Sequence, residues 1–210
     1  MLTLYGTKGP CSAAIEAALD LAGLTYRQVD TASCAPVNGL VELTRTNPKA
    51  QVPTLVLADG SILTESAAIL IHLGLCHPAS GLMPSDPARR AQQICGLVYI
   101  AANCQAGAGI LNHRDNFHCD VDEPTRTSLL TRGRASLHEL WETFADQFPF
   151  TPWLAGDRLG ALDLLAATVS MWNGARRHLE VARPEFHALL LRVGCDPRIA
   201  PVWKRNWVRG

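Results

Sequence analysis

The sequence predicts two structural units, an α/β domain of β-α-β-α-β-β-α order followed by an all-helical bundle. Strand and helix signals alternate through the first third of the chain, and an Asp-Gly hairpin signal falls near its end. Beyond that third the strand signals vanish and helical periodicity takes over. A chain of 210 residues that is 48% apolar can bury a core of that size.

Residues 2–5 are short and β-prone, and give the first strand. After the loop at 6–10, residues 12–23 carry helix formers and end on Gly23, the stop signal of a first helix. Residues 25–29 read as a second strand. The polar stretch 31–47, punctuated by proline and glycine, holds a short helix around 41–45. Residues 54–58 and 61–63 flank Asp59-Gly60, which reads as a two-residue type I′ turn joining antiparallel strands. An apolar helix follows over 66–75. The proline-rich stretch 77–87 reads as a linker, so the predicted domains are 1–76 and 88–210. Helical periodicity marks 88–111, 124–146, 161–178 and 184–193. At the third of these, Gly160 is the N-cap, Asp163 accepts the cap's amide, and Leu159 with Leu164 forms a hydrophobic staple.

Nineteen acidic side chains balance nineteen basic ones, so no global field holds the chain on nucleic acid or an anionic bilayer. The opening residues lack a secretory pattern and no apolar run approaches the roughly 18 residues of a membrane span. The expectation is a cytoplasmic protein with no membrane partner. The cysteines Cys11, Cys34, Cys76, Cys95, Cys104, Cys119 and Cys195 are odd in number and lack C-x-x-C spacing. That fits neither a disulfide framework nor structural zinc, and predicts mostly reduced thiols packed as small apolar residues. The stretch 113–120 offers imidazole, thiolate and carboxylate, but no second cluster has zinc-like spacing, so a solvated loop is expected. Trp141, Trp153, Trp172, Trp203 and Trp207 are expected as core or interface anchors.

Three constellations could carry chemistry. Asn47-Pro48-Lys49-Ala50-Gln51-Val52-Pro53 stands directly before a strand. A cis Val52-Pro53 bond would turn the Val52 amide and carbonyl outward, toward an extended peptide ligand; otherwise this is a loop with a strand-edge proline. Thr64-Glu65-Ser66-Ala67-Ala68 opens a helix whose free amides and dipole favour a ligand carboxylate, with Glu65 able to pair an ammonium. The alternative there is a plain N-cap by Thr64. The loop from Tyr5 to Ser12 presents the Cys11 thiol and the Ser12 hydroxyl at a helix start, where a thiolate is stabilised. The alternatives are an inert thiol and a capping serine.

Together these elements resemble the cytosolic glutathione transferases, in particular bacterial members similar to the beta class, with a cysteine at the start of the first helix. The resemblance spans nearly the whole chain. It is strongest in N-P-K-A-Q-V-P followed by L-x-L-A-D-G-S-I-L-T-E-S-A-A-I. It implies an α/β thioredoxin-like N-terminal domain plus an all-α C-terminal helical bundle domain, glutathione as co-substrate, and a homodimer. On that resemblance, Val52 pairs with the cysteinyl backbone of the ligand, Pro53 is the family's cis proline, and Glu65 and Ser66, helped by Gln51, hold the γ-glutamyl end. Cys11, Ser12 or Tyr5 then acts on the ligand sulfur, which attacks a small apolar electrophile held by the helical domain along 97–111. Three departures stand out, one being that a lysine usual in the loop after the second strand is not evident within residues 31–47. Gln105 and Ala106 replace the histidine and lysine usual in that class, and Gly160 replaces a serine or threonine. A glutathione-dependent thiol-disulfide oxidoreductase using Cys11, and a non-catalytic interaction protein of this architecture, are the alternatives.

Overall fold

The computed structural model describes residues 1–32, 38–112 and 121–207; of Pro10, Cys11 and Asn38 only the backbone is described. Four strands, β1 (Leu2–Gly6), β2 (Tyr26–Asp30), β3 (Thr54–Val56) and β4 (Ile62–Thr64), form one mixed sheet in the order β2-β1-β3-β4. β1 runs parallel to β2 and antiparallel to β3, and β3 pairs antiparallel with β4. Helices α1 (Pro10–Leu21), α2 (Asn38–Thr46) and α3 (Ser66–Cys76) complete the thioredoxin-like first unit.

Alternation along β1 sends side chains to two different cores. Leu4 joins α1 and α3 in the main core, whereas Tyr5 on the opposite face packs with Val29 and with Leu43 of α2. α1 is buried throughout residues 12–19, because it lies between the sheet side and the helical domain. Its alanines at 13, 14, 17 and 18 let neighbours approach on nearly every side.

The helical part comprises α4 (Pro87–Tyr99), a π-helical segment (Ile100–Gln105), α5 (Ala106–Asn112), α6 (Glu123–Gln147), α7 (Ala161–Val169), α8 (Ala175–Ala182), α9 (Pro184–Cys195) and α10 (Ala200–Trp207). α7 is its central helix, buried at every position and packed against α1, α3, α4 and α9. Trp141 is fully buried, and Trp153, Trp172, Trp203 and Trp207 pack against the same core.

Four expectations are corrected. The hairpin connection has three residues, Ala58 to Gly60: Leu57 N–H donates to Ser61 O at 2.8 Å and Gly60 N–H to Leu57 O at 3.1 Å. Only Gly60 takes positive φ there, so Asp-Gly serves a turn with a glycine bulge rather than type I′, which needs two such residues. The single helix expected over 161–178 is two, because Asn173 (φ 50°) and Gly174 (φ 77°) turn the chain left-handed between them. Cys104 is buried, and burial pushes its thiol up to about 12, but Cys76, Cys95 and Cys195 are exposed rather than packed as small apolar residues. Cys34, Cys119 and the whole of 113–120 lie outside the described residues. Finally, the helical run Pro87–Asn112 is long and apolar enough by length and composition to cross a membrane. Here its Leu97, Ile100, Cys104 and Ala108 belong to the core.

Candidate functional site

Strand register brings the three sequence constellations to one end of the sheet. Tyr5 pairs with Thr54, and Thr54 pairs with Thr64. The loop after β1, the Val52-Pro53 step before β3 and the Glu65-Ser66 step after β4 therefore sit side by side on three adjacent strands, about 4.8 Å apart per strand.

The Val52-Pro53 peptide is cis. The loop ahead of it is organised by Asn47. Its Nδ2 donates to Gln51 O at 3.3 Å and Thr54 Oγ1 at 3.1 Å, while its Oδ1 accepts the Lys49 amide at 3.1 Å. Thr54 Oγ1 in turn donates to Gln51 O at 2.7 Å. An asparagine at the start of a turn was the available signal. Gln51 itself is exposed, and the Val52 amide and carbonyl find no partner among the described residues.

Glu65 is the N-cap of α3 and holds φ 67° with ψ 116°, a conformation that costs a non-glycine residue of order 1–3 kcal/mol and is retained where the surroundings demand it. Thr64 does not cap the helix; it ends β4 opposite Thr54. Ser66 is 2% exposed and its Oγ has no hydrogen-bond partner among the described residues. Glu65 is exposed beside it. A buried, unpaired hydroxyl at the open end of a helix, next to an exposed carboxylate, matches a ligand group that carries one negative and one positive charge.

At the third constellation, Gly9 caps α1 and Cys11 is its second residue. The first amides of a helix have no intrahelical acceptor, and that of Ser12 has none elsewhere among the described residues. Ser12 is 1% exposed, and its Oγ accepts the Thr7 amide at 3.1 Å. A Cβ at Gly6 would come within 2.5 Å of that oxygen, so glycine is required there. Tyr5 stands apart from the other two. Its side chain is on the opposite face of the sheet, where its hydroxyl donates to Glu42 Oε1 at 2.8 Å. Burial chiefly, with Glu42 adding to it, raises the Tyr5 hydroxyl above the usual phenol value. Arg27 grips the same carboxylate at 2.7 Å.

Residues 1–74 match the family model "Glutathione S-transferase, N-terminal domain". The chain is 30% identical over 174 residues to "Glutathione S-transferase GstA" of Escherichia coli O157:H7, covering 81% of this chain and 82% of that protein. The chain belongs to the glutathione S-transferase family. "Uncharacterized GST-like protein YncG" of Escherichia coli K12 is 28% identical over 210 residues, covering 98% of each chain. A glutathione transferase homologue from Sulfitobacter, solved with bound glutathione, superposes with a TM-score of 0.81 at 23% identity over 98% of each chain, which shows the shared fold. As a member of this family the chain departs from the resemblance at Gln105, the last residue of the π-helical segment, and at Ala106, the first of α5. Among the described residues no group of three or more histidine, cysteine or acidic side chains could hold a metal ion.

Proposed function

We propose that the protein is a glutathione-dependent transferase that binds the tripeptide across Val52, Glu65 and Ser66 and uses its thiolate against a small apolar electrophile. The observation that carries the reading is the buried Ser66 hydroxyl, unpaired at the N-terminus of α3 beside the strained Glu65. A buried hydroxyl without a partner costs about 1–3 kcal/mol, which a ligand carboxylate at that helix end recovers. Membership of the family and the name of the Escherichia coli O157:H7 relative support glutathione as the co-substrate.

In this reading Val52 offers its amide and carbonyl to the cysteinyl backbone of the ligand in strand-like pairing, next to the cis Pro53. Ser66 Oγ–H and the first amides of α3 receive the γ-glutamyl carboxylate, Glu65 receives its ammonium, and the exposed Gln51 adds a carboxamide. The ligand sulfur then rests over the first turn of α1. There the first-turn amides of α1 and the helix dipole favour the thiolate over the thiol. A thiol near pKa 8.5 is only about 3% ionised at pH 7, so lowering it by about two units raises the reactive fraction roughly 25-fold. The thiolate attacks the electrophilic carbon, a C–S bond forms, and the leaving group departs with its electron pair. Cys11 is the proposed sulfur-facing residue, with Ser12 bracing the loop. Tyr5 carries no part of the site in this arrangement, because its hydroxyl serves Glu42.

Titration calorimetry with glutathione, followed by conjugation and disulfide-exchange assays on wild type and Cys11→Ala, tests the proposal. Uptake with a dissociation constant below a few millimolar and conjugation that survives in Cys11→Ala at reduced rate are expected. No heat at millimolar glutathione overturns the reading. Disulfide exchange that depends wholly on Cys11, without conjugation in wild type, moves the protein to the oxidoreductase class.

A further inference from the structure

Gly9 donates its amide to Asn206 Oδ1 at 2.8 Å, so the loop ahead of α1 is tied to α10, nearly two hundred positions away in the chain. The direction of the Asn206 carboxamide is set from its other side. Its Nδ2 faces Val202 O at 3.0 Å and both Glu16 oxygens at 3.4 Å, groups that can only accept, so Oδ1 must face Gly9. Glu16 is 1% exposed, and it is further held by Gln28 Nε2 at 2.7 Å and Arg205 at 3.3 Å.

A cavity of about 280 Å³ borders the loop, its lining including Thr7, Lys8, Glu16, Gln28 and Asn206. Gly9 also has no side chain with which to brace itself, and its φ of 118° with ψ −165° belongs to a region that other residues rarely adopt. Its backbone supplies the handles: the carbonyl accepts the Ala13 amide at 3.2 Å, and the amide reaches Asn206. Two of the loop's amides are tethered among the described residues: Thr7 N–H to Ser12 Oγ within the first unit, and Gly9 N–H to Asn206 from the helical domain.

We infer that Asn206 is a positioning residue for the proposed thiol site: by fixing Gly9, it fixes the direction in which Pro10 and Cys11 begin α1. The inference rests on the glutathione-binding reading for its functional consequence, though not for the tether itself. Removing the acceptor leaves the buried Gly9 amide unpaired, which is enough to shift a loop between held and released states by about tenfold.

Hydrogen exchange on the full chain, read beside glutathione titration, tests this. In wild type, the Gly9 and Thr7 amides should exchange at least about tenfold more slowly than that of Lys8. In Asn206→Leu, amides over 7–13 should exchange about tenfold faster while those of α7 keep their protection, and the glutathione dissociation constant should rise about tenfold. The pH midpoint of Cys11 alkylation should shift as well. Arg205→Gln removes an ion pair of α10 without touching the Gly9 bond, and should leave the loop protected. Unprotected Gly9 in wild type, unchanged exchange in Asn206→Leu, or equal loosening in Arg205→Gln overturns the inference. Should Asn206→Leu fail to fold, the wild-type Gly9 protection still decides. A wild type that ignores glutathione but shows the expected exchange sinks the co-substrate reading and leaves the tether standing.

Discussion

The Asp163 carboxylate accepts the Gly160 amide at 3.0 Å, closing the N-terminus of α7, and it also accepts the amides of Leu154 at 2.8 Å and Ala155 at 3.1 Å. One buried side chain thus ties the turn at 154–160 to the central helix of the molecule.

The glycine in that pair is required by space rather than by backbone freedom. A Cβ at position 160 would meet Ala155 Cβ at 2.6 Å and Leu82 O at 2.9 Å. Gly160→Ser, which restores the residue type usual in the family, should therefore destabilise the protein by about 1–3 kcal/mol instead of improving the cap. Urea unfolding of the variant measures it, and a gain in stability contradicts the packing argument.

Burial raises Asp163 to about 6, in spite of the three amides that favour its ionised form. The unfolded chain gives up this proton near 3.8, so between about 4 and 6 the folded state binds it more tightly. The stability Asp163 contributes is full below about 4 and is lost as pH rises through about 6. The stability of wild type relative to Asp163→Asn should fall as pH rises from about 4.5 to about 7.5; a relative stability that holds or rises over that range contradicts the assignment.

Ser66 gives a prediction in which binding and stability part company. Ser66→Ala removes a buried hydroxyl that lacks a partner in the free protein, so unfolding free energy should hold or rise by up to about 1 kcal/mol. Glutathione affinity should fall about tenfold, since the same hydroxyl is proposed to receive the ligand carboxylate. Calorimetry and denaturation on one preparation report both. A loss of stability with affinity intact would assign Ser66 a structural role.

Tyr5→Phe separates a structural hydroxyl from a catalytic one. It breaks the 2.8 Å bond to Glu42 and leaves the first turn of α1 untouched. Stability should fall by about 1 kcal/mol, while the kcat and KM of any conjugation stay within about twofold. A loss of kcat beyond about tenfold would return Tyr5 to the site.

Much of the fold was legible from local patterns. Alternation in the first third, the apolar run of α3 and the Gly160–Asp163 cap all rest on interactions within a few residues, which a sequence displays directly. Where local signals failed, neighbouring backbone geometry had decided. Asp59-Gly60 shared its turn with Ala58, and Asn173-Gly174 divided a run whose periodicity looked continuous.

The sequence by itself determined which groups stand at the ends of β1, β3 and β4, because hydrophobic alternation and turn residues specify strands and their limits. Only the tertiary structure decided which of those groups face one another. Strand register gathered the Val52, Glu65 and Cys11 segments at one end of the sheet, and β-alternation turned Tyr5 to the other face. Chain reversal then delivered Asn206 to Gly9. Such contacts join residues far apart in sequence, and their partners are set by how whole elements pack, which no short window of residues contains.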